Sequence, residues 1–88
     1  MSMYLAIRKI GEYTANIGRL SEYVSELESQ SVKALEDKNN EVYKDIIKRL
    51  AQAKTLLNML KDFLEFWKEV LKGILGIMKM FNELVGNR

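Results

Sequence analysis

The chain has 88 residues, 48% of them hydrophobic and 30% charged, with a net charge of +2 and no cysteine, histidine or proline. That length predicts one small domain, residues 1–88, whose single core is marginal and for which oligomerisation is a common remedy. Without cysteine there is no disulfide framework, thiol nucleophile or zinc–thiolate centre; without histidine the usual general base and the commonest metal ligand are gone.

At the start of the chain, "MSMYLAIRKI" meets Arg8 and Lys9 too soon to form a signal-peptide core. Charges break every later apolar run well short of the ~20 residues that span a bilayer, so a cytoplasmic protein is expected. From Met3 to Ala34 a heptad register holds. Met3, Ile10, Ile17, Val24 and Ser31 take its a positions; Ala6, Tyr13, Leu20, Leu27 and Ala34 take d, with Ser31 the one clearly polar member. This predicts a first helix over residues 3–35. Away from that seam, Gly11, Ala15, Gly18, Ser21, Ser25 and Ser29 recur at spacings of four and three. They are read as solvent-facing positions of low helix propensity.

A polar run, Glu36 to Glu41, follows. Extending the first register would place Lys38 and Asp45 at a and Glu41 at d, whereas the next apolar register starts with Tyr43 at a and Ile46 at d. An offset of two is neither a stutter nor a stammer, so one continuous seam is not expected. The run is read as a turn over residues 36–40, with Asn39 and Asn40 suited to a left-handed closing position or to an N-cap. Asp37, Asn39 and Glu41 are spaced like the opening of a calcium loop. Val42 stands where that loop requires glycine and Lys48 where it requires glutamate, so the polar turn is the better reading.

The second register runs from Tyr43 to Val85. Its a positions are Tyr43, Leu50, Leu57, Leu64, Leu71, Met78 and Val85, and its d positions are Ile46, Ala53, Leu60, Trp67, Ile74 and Phe81. It predicts a second helix over residues 41–85, with Gly86 and Asn87 as its terminal cap. Folded back, the two seams pair Ala34 with Tyr43, Leu27 with Leu50, Val24 with Ala53 and so on to Met3 with Ile74. Beyond Ile74 the second helix has no partner within the hairpin. Gly73 and Gly76 each cost ~1 kcal/mol in a helix interior. Either the helix runs on through them, which is the leading expectation, or it breaks there and a short third helix folds back.

The second helix is also apolar over too wide an arc for one neighbour. Its c and g positions carry Leu56, Met59, Phe63, Phe66, Val70, Ile77 and Leu84, contiguous on the wheel with Phe81 at d. These eight residues form the candidate oligomer or partner interface. The expected architecture is therefore an all-α, antiparallel two-helix hairpin that assembles as a homodimeric four-helix bundle.

Catalysis is not expected, since Glu65 and Glu69 lie on the polar b/f side and no glycine-rich phosphate loop or paired metal ligands occur. No cofactor or metal is implied. A second candidate surface is the basic ridge Lys44, Lys48, Arg49, Lys54 and Lys61, which has the composition of a polyanion site. Glu22, Glu26, Glu28 and Glu36 on the first helix are expected to neutralise it, which argues against nucleic acid as the partner. A membrane interface is the other alternative, through "FLEFWKEVLKGILGIMKMF" with Trp67 and Phe81 at the boundary; Glu65 and Glu69 weaken its attraction to anionic lipid.

The outline of two long helices is similar to that of small secreted dimers carrying a Trp-x-Gly turn. Here the turn is Asp-Lys-Asn-Asn and the single tryptophan, Trp67, lies mid-helix, so that function is not carried over. The reading from sequence is a non-enzymatic helical protein that self-associates and binds another macromolecule, of the adaptor, regulatory or viral and plasmid accessory kind. A protein partner is expected, of unknown identity.

Overall fold

The computed structural model describes residues 2–86 and places them in an antiparallel hairpin of two long helices. Helix α1 is Met3–Glu36 and helix α2 is Asn40–Phe81; a π-helical turn, Asn82–Gly86, extends α2. The rod measures 74 × 15 × 14 Å with a radius of gyration of 20.6 Å. A compact chain of this length would have a radius of about 12 Å.

Both helices begin on side-chain caps. Ser2 is extended (φ −86°, ψ 144°) and its Oγ accepts a hydrogen bond from the Leu5 N–H at 3.0 Å. This satisfies one of the free donors of the first turn. Asn39 does the same for α2, its Oδ1 accepting from the Val42 N–H at 3.2 Å.

Between the caps the chain reverses in three residues. The Asn39 N–H donates to the Ala34 carbonyl at 2.9 Å and the Lys38 N–H to the Leu35 carbonyl at 3.1 Å. That pair of bonds is a Schellman closure, which needs a left-handed residue just past the helix end. Lys38 takes it, with φ 55°. Asn39 and Asn40 suit either this conformation or an N-cap; the fold uses Asn39 as the N-cap of α2 and Asn40 as its first helical residue, which leaves the left-handed position to Lys38.

The seam between the helices follows the heptad positions. On α1 the a and d side chains from Met3 to Ala34 are all buried or half-buried, and so are those of α2 from Tyr43 to Ile74. Val24, Leu27, Ala34, Ile46 and Ala53 form one buried cluster, with Leu20, Tyr43 and Leu50 packed on it. The expected pairs Val24–Ala53, Leu27–Leu50 and Ala34–Tyr43 thus share one cluster. Small residues opposite large ones let the backbones approach and interdigitate. Among the described residues the buried apolar set is only Ala6, Val24, Leu27, Ala34, Ile46 and Ala53. Half are alanines. The core is a thin strip densest near the turn.

At the open end α2 passes through Gly73 and Gly76 without interruption. The alternative of a third helix folding back is therefore corrected. Two isolated glycines lower helix propensity but leave every backbone hydrogen bond available. The end of α2 also differs from expectation: the α-helix stops at Phe81, and Gly86 closes the π turn without a positive φ. Asn87, the other half of the expected cap, lies outside the described residues.

Candidate functional site

The seam ends at Ile74 because α1 begins at Met3. Beyond that point Leu75, Ile77, Met78, Met80, Phe81, Leu84 and Val85 are all exposed, Ile77 at 69% and Leu84 at 72%. Met78, Phe81 and Val85 continue the a and d positions that α1 covers elsewhere. The overhang is thus apolar on both its seam side and its c/g side, with its polar residues Lys79, Asn82 and Glu83 at b, e and f.

Along the paired part of α2, the c and g side chains form a continuous apolar strip. Leu56, Met59, Phe63 and Phe66 are each about half exposed, and Val70 is half-buried. Phe63 stacks on Tyr13 of α1 with ring centroids 5.8 Å apart, and Phe66 meets Trp67 edge-on at 5.5 Å. One shallow groove on this side is lined by Tyr13, Asp62, Phe63, Phe66 and Trp67. A second lies nearer the turn, between the helices, lined by Asn16, Arg19, Leu20, Tyr23, Leu56 and Leu60. Both are open on the face that carries the g positions of the two helices. Every residue of the proposed interface therefore lies on this strip or on its continuation in the overhang.

The basic residues are arranged differently. Lys44, Lys48, Lys54 and Lys61 sit at b, f and e, on the outward side, and Arg49 stands apart at g; all five are exposed. The pairing expected with the acidic set of α1 is sparse. Among the described residues one ion pair crosses between the helices, Lys54–Glu28 at 3.9 Å, while Arg49 pairs within its own helix to Asp45 at 3.1 Å. Solvent-exposed pairs of this kind contribute about 1 kcal/mol or less. Charge pairing across the hairpin is therefore a minor term, and apolar burial holds the helices together.

Sequence reasoning missed three exposed apolar residues at e, Ile7 and Leu35 on α1 and Ile47 on α2, which Leu75 of the unpartnered overhang joins. In an antiparallel pair e faces e, and these fall at the two ends of the opposite edge. The signal was present as apolar residues beside the d position. On the small-residue line of α1 a Cβ added at Gly11 or Gly18 would contact nothing within 4 Å, while Ser21 is half-buried.

Among the described residues no helix is long and apolar enough to cross a membrane. No family model, curated protein or solved structure matches the chain.

Proposed function

We propose that the chain is an interaction module that first associates with itself, as a homodimeric four-helix bundle built on the c/g strip and overhang of α2. That assembly then binds a further macromolecule, a protein partner in the first instance. The carrying observation is the mismatch between total exposed surface and core. A compact monomer of this mass exposes about 5,300 Å²; the hairpin exposes 6914 Å². The difference, about 1,600 Å², exceeds the roughly 800 Å² per partner that a standard stable interface buries.

Residue by residue the balance points the same way. From Leu56 onward eleven large apolar side chains are exposed, and fully burying each such side chain is worth ~1.5–3 kcal/mol. Association costs an estimated 4–15 kcal/mol in lost freedom and ordering. A handful of these residues offsets that cost. The hairpin alone, with its alanine-rich core strip, has little stability in reserve, so folding and association are coupled.

The test is thermal unfolding at increasing protein concentration. A protein that folds as it associates gains stability by mass action, so its melting temperature rises with concentration. A melting temperature that stays constant over two decades of concentration would contradict self-association. A gain of helicity only on adding vesicles would assign the strip to a lipid surface instead.

A further inference from the structure

We infer that the second copy lies antiparallel along α2, in the register that sets Phe63 of one chain against Gly73 of the other. This rests on the self-association proposed above and adds its orientation and contacts.

The c and g positions of α2 recur by alternating steps of three and four, so they form a heptad seam of their own beside the one that α1 covers. In an antiparallel pair each g residue faces a c residue of the other helix. One register pairs Phe63 with Gly73, Phe66 with Val70, Met59 with Ile77 and Leu56 with Met80, with Leu84 alone of the overhang's c/g residues on a polar partner, Gln52. It places an aromatic ring opposite the one c position without a side chain, the knob and the space that close packing requires. Sliding one heptad in one direction sets Ile77 against Gln52 and Met80 against Arg49, leaving the overhang on polar surface. Sliding the other way spends the space at Gly73 on Val70 and carries Leu56 off the end of the seam. A parallel pair sets Phe63 on Phe63 and Gly73 on Gly73, crowding one layer and emptying another.

The overhang distinguishes the arrangements further. In parallel, two overhangs meet each other through c and g, and their seam sides, Met78, Phe81 and Val85, stay wet. In the antiparallel register each overhang lies level with residues 51–61 of the partner helix. There the groove lined by Leu20, Tyr23, Leu56 and Leu60 opens on the same face, and Ile77 and Phe81 fall at its level. One copy's uncovered end thereby fills the other's inter-helix groove, twice over by symmetry.

Two measurements decide it. The chain has no cysteine, so Lys48→Cys and Lys79→Cys each accept a single nitroxide at an exposed position outside the strip. At 1.5 Å per residue the antiparallel register places the two labels of a dimer about 60 Å apart at position 48 and about 35 Å apart at position 79. Distances below about 25 Å at both would show a parallel dimer and overturn the inference while sparing self-association. Values shifted by roughly 10 Å in opposite senses would show a neighbouring register and overturn it too. Monomers by sedimentation would remove the underlying reading as well.

The second measurement uses the two helix-interior glycines as a matched pair. An added Cβ meets nothing within 4 Å at either Gly73 or Gly76, and both substitutions raise helix propensity equally. Gly73→Leu fills the space for Phe63 and weakens dimerisation at least tenfold. Gly76→Leu, at the outward f position, leaves it unchanged. Equal dimerisation by the two variants would overturn the assignment of Gly73 to the seam.

Discussion

Phe63 stacks on Tyr13 with their ring planes 28° apart, and it still leaves 47% of its surface exposed. One edge of the ring belongs to the hairpin seam and the other faces outward, so this residue joins the core to the candidate interface. Ile77, beyond the end of α1 and 69% exposed, belongs to the candidate interface alone. Substitutions at the two positions separate assembly from folding.

Ile77→Asp is therefore expected to abolish the oligomer and leave a marginal monomeric hairpin, less helical than the parent, whose melting temperature no longer depends on concentration. An unpaired charge in a dry interface costs several kcal/mol, whereas at the free overhang it costs almost nothing. Adding Phe63→Asp also removes the stacking on Tyr13, worth ~0.5–1.5 kcal/mol, so the double variant should be monomeric with reduced helicity and melting temperature. Light-scattering mass and circular dichroism on both variants check this. An Ile77→Asp protein that remains an oligomer would exclude Ile77 from the interface.

The turn provides a prediction independent of assembly. Lys38 holds a left-handed conformation that costs an ordinary residue ~1–2 kcal/mol and glycine almost none. Allowing for the extra freedom glycine gives the unfolded chain, Lys38→Gly should stabilise by ~0.5–1 kcal/mol. Asn39→Ala removes the cap on the Val42 N–H and should destabilise by ~1 kcal/mol. Urea titrations of the two variants should move in opposite directions. A loss of stability in Lys38→Gly would contradict the closure described here.

The core strip is tested by a matched pair of leucines. Leu27 is 3% exposed and Leu35 is 55% exposed. Leu27→Ala truncates the most buried member of the core cluster and should cost ~2–5 kcal/mol, enough to unfold much of a marginal protein. Leu35→Ala should lie within ~0.5 kcal/mol of the parent. Denaturant unfolding that finds the two equal would place the seam on the wrong face.

These relationships were legible in the sequence to different degrees. The seam from Met3 to Ile74 could be read in full, because burial on one side of a helix imposes its period directly on residue type. The turn is located by the register offset at Lys38–Tyr43, and asparagine's preferences point equally to a left-handed position and to an N-cap. The fold spends Asn39 on the N-cap and leaves Lys38 to take the strained position. Ser2 capping Leu5 passed unnoticed although its spacing is that of an N-cap. The end of α2 near residue 85 is legible from its last apolar residues, whereas the change from α to π geometry after Phe81 leaves no signal in residue type. Of the candidate surfaces, the apolar strip was visible as an arc too wide for one neighbour. The basic ridge was less coherent than the list of cations implied, since Arg49 falls on a different side from Lys44, Lys48, Lys54 and Lys61.

That last point carries its own expectation. With the cations spread over several heptad positions and mostly outside the apolar strip, Lys48→Glu combined with Lys54→Glu should leave the oligomer intact. Binding of the parent protein to DNA should be weak and should fade at moderate salt, as expected of screened surface charge. Tight DNA binding that falls steeply with salt, and that the double variant loses, would promote the cations to a functional site.

Sedimentation equilibrium at micromolar concentration tests self-association most directly. The expected mass is about twice that of the 10.2 kDa chain, in a helical species that dissociates only as it begins to unfold. A stable, fully helical monomer of 10.2 kDa across the concentration range would contradict it.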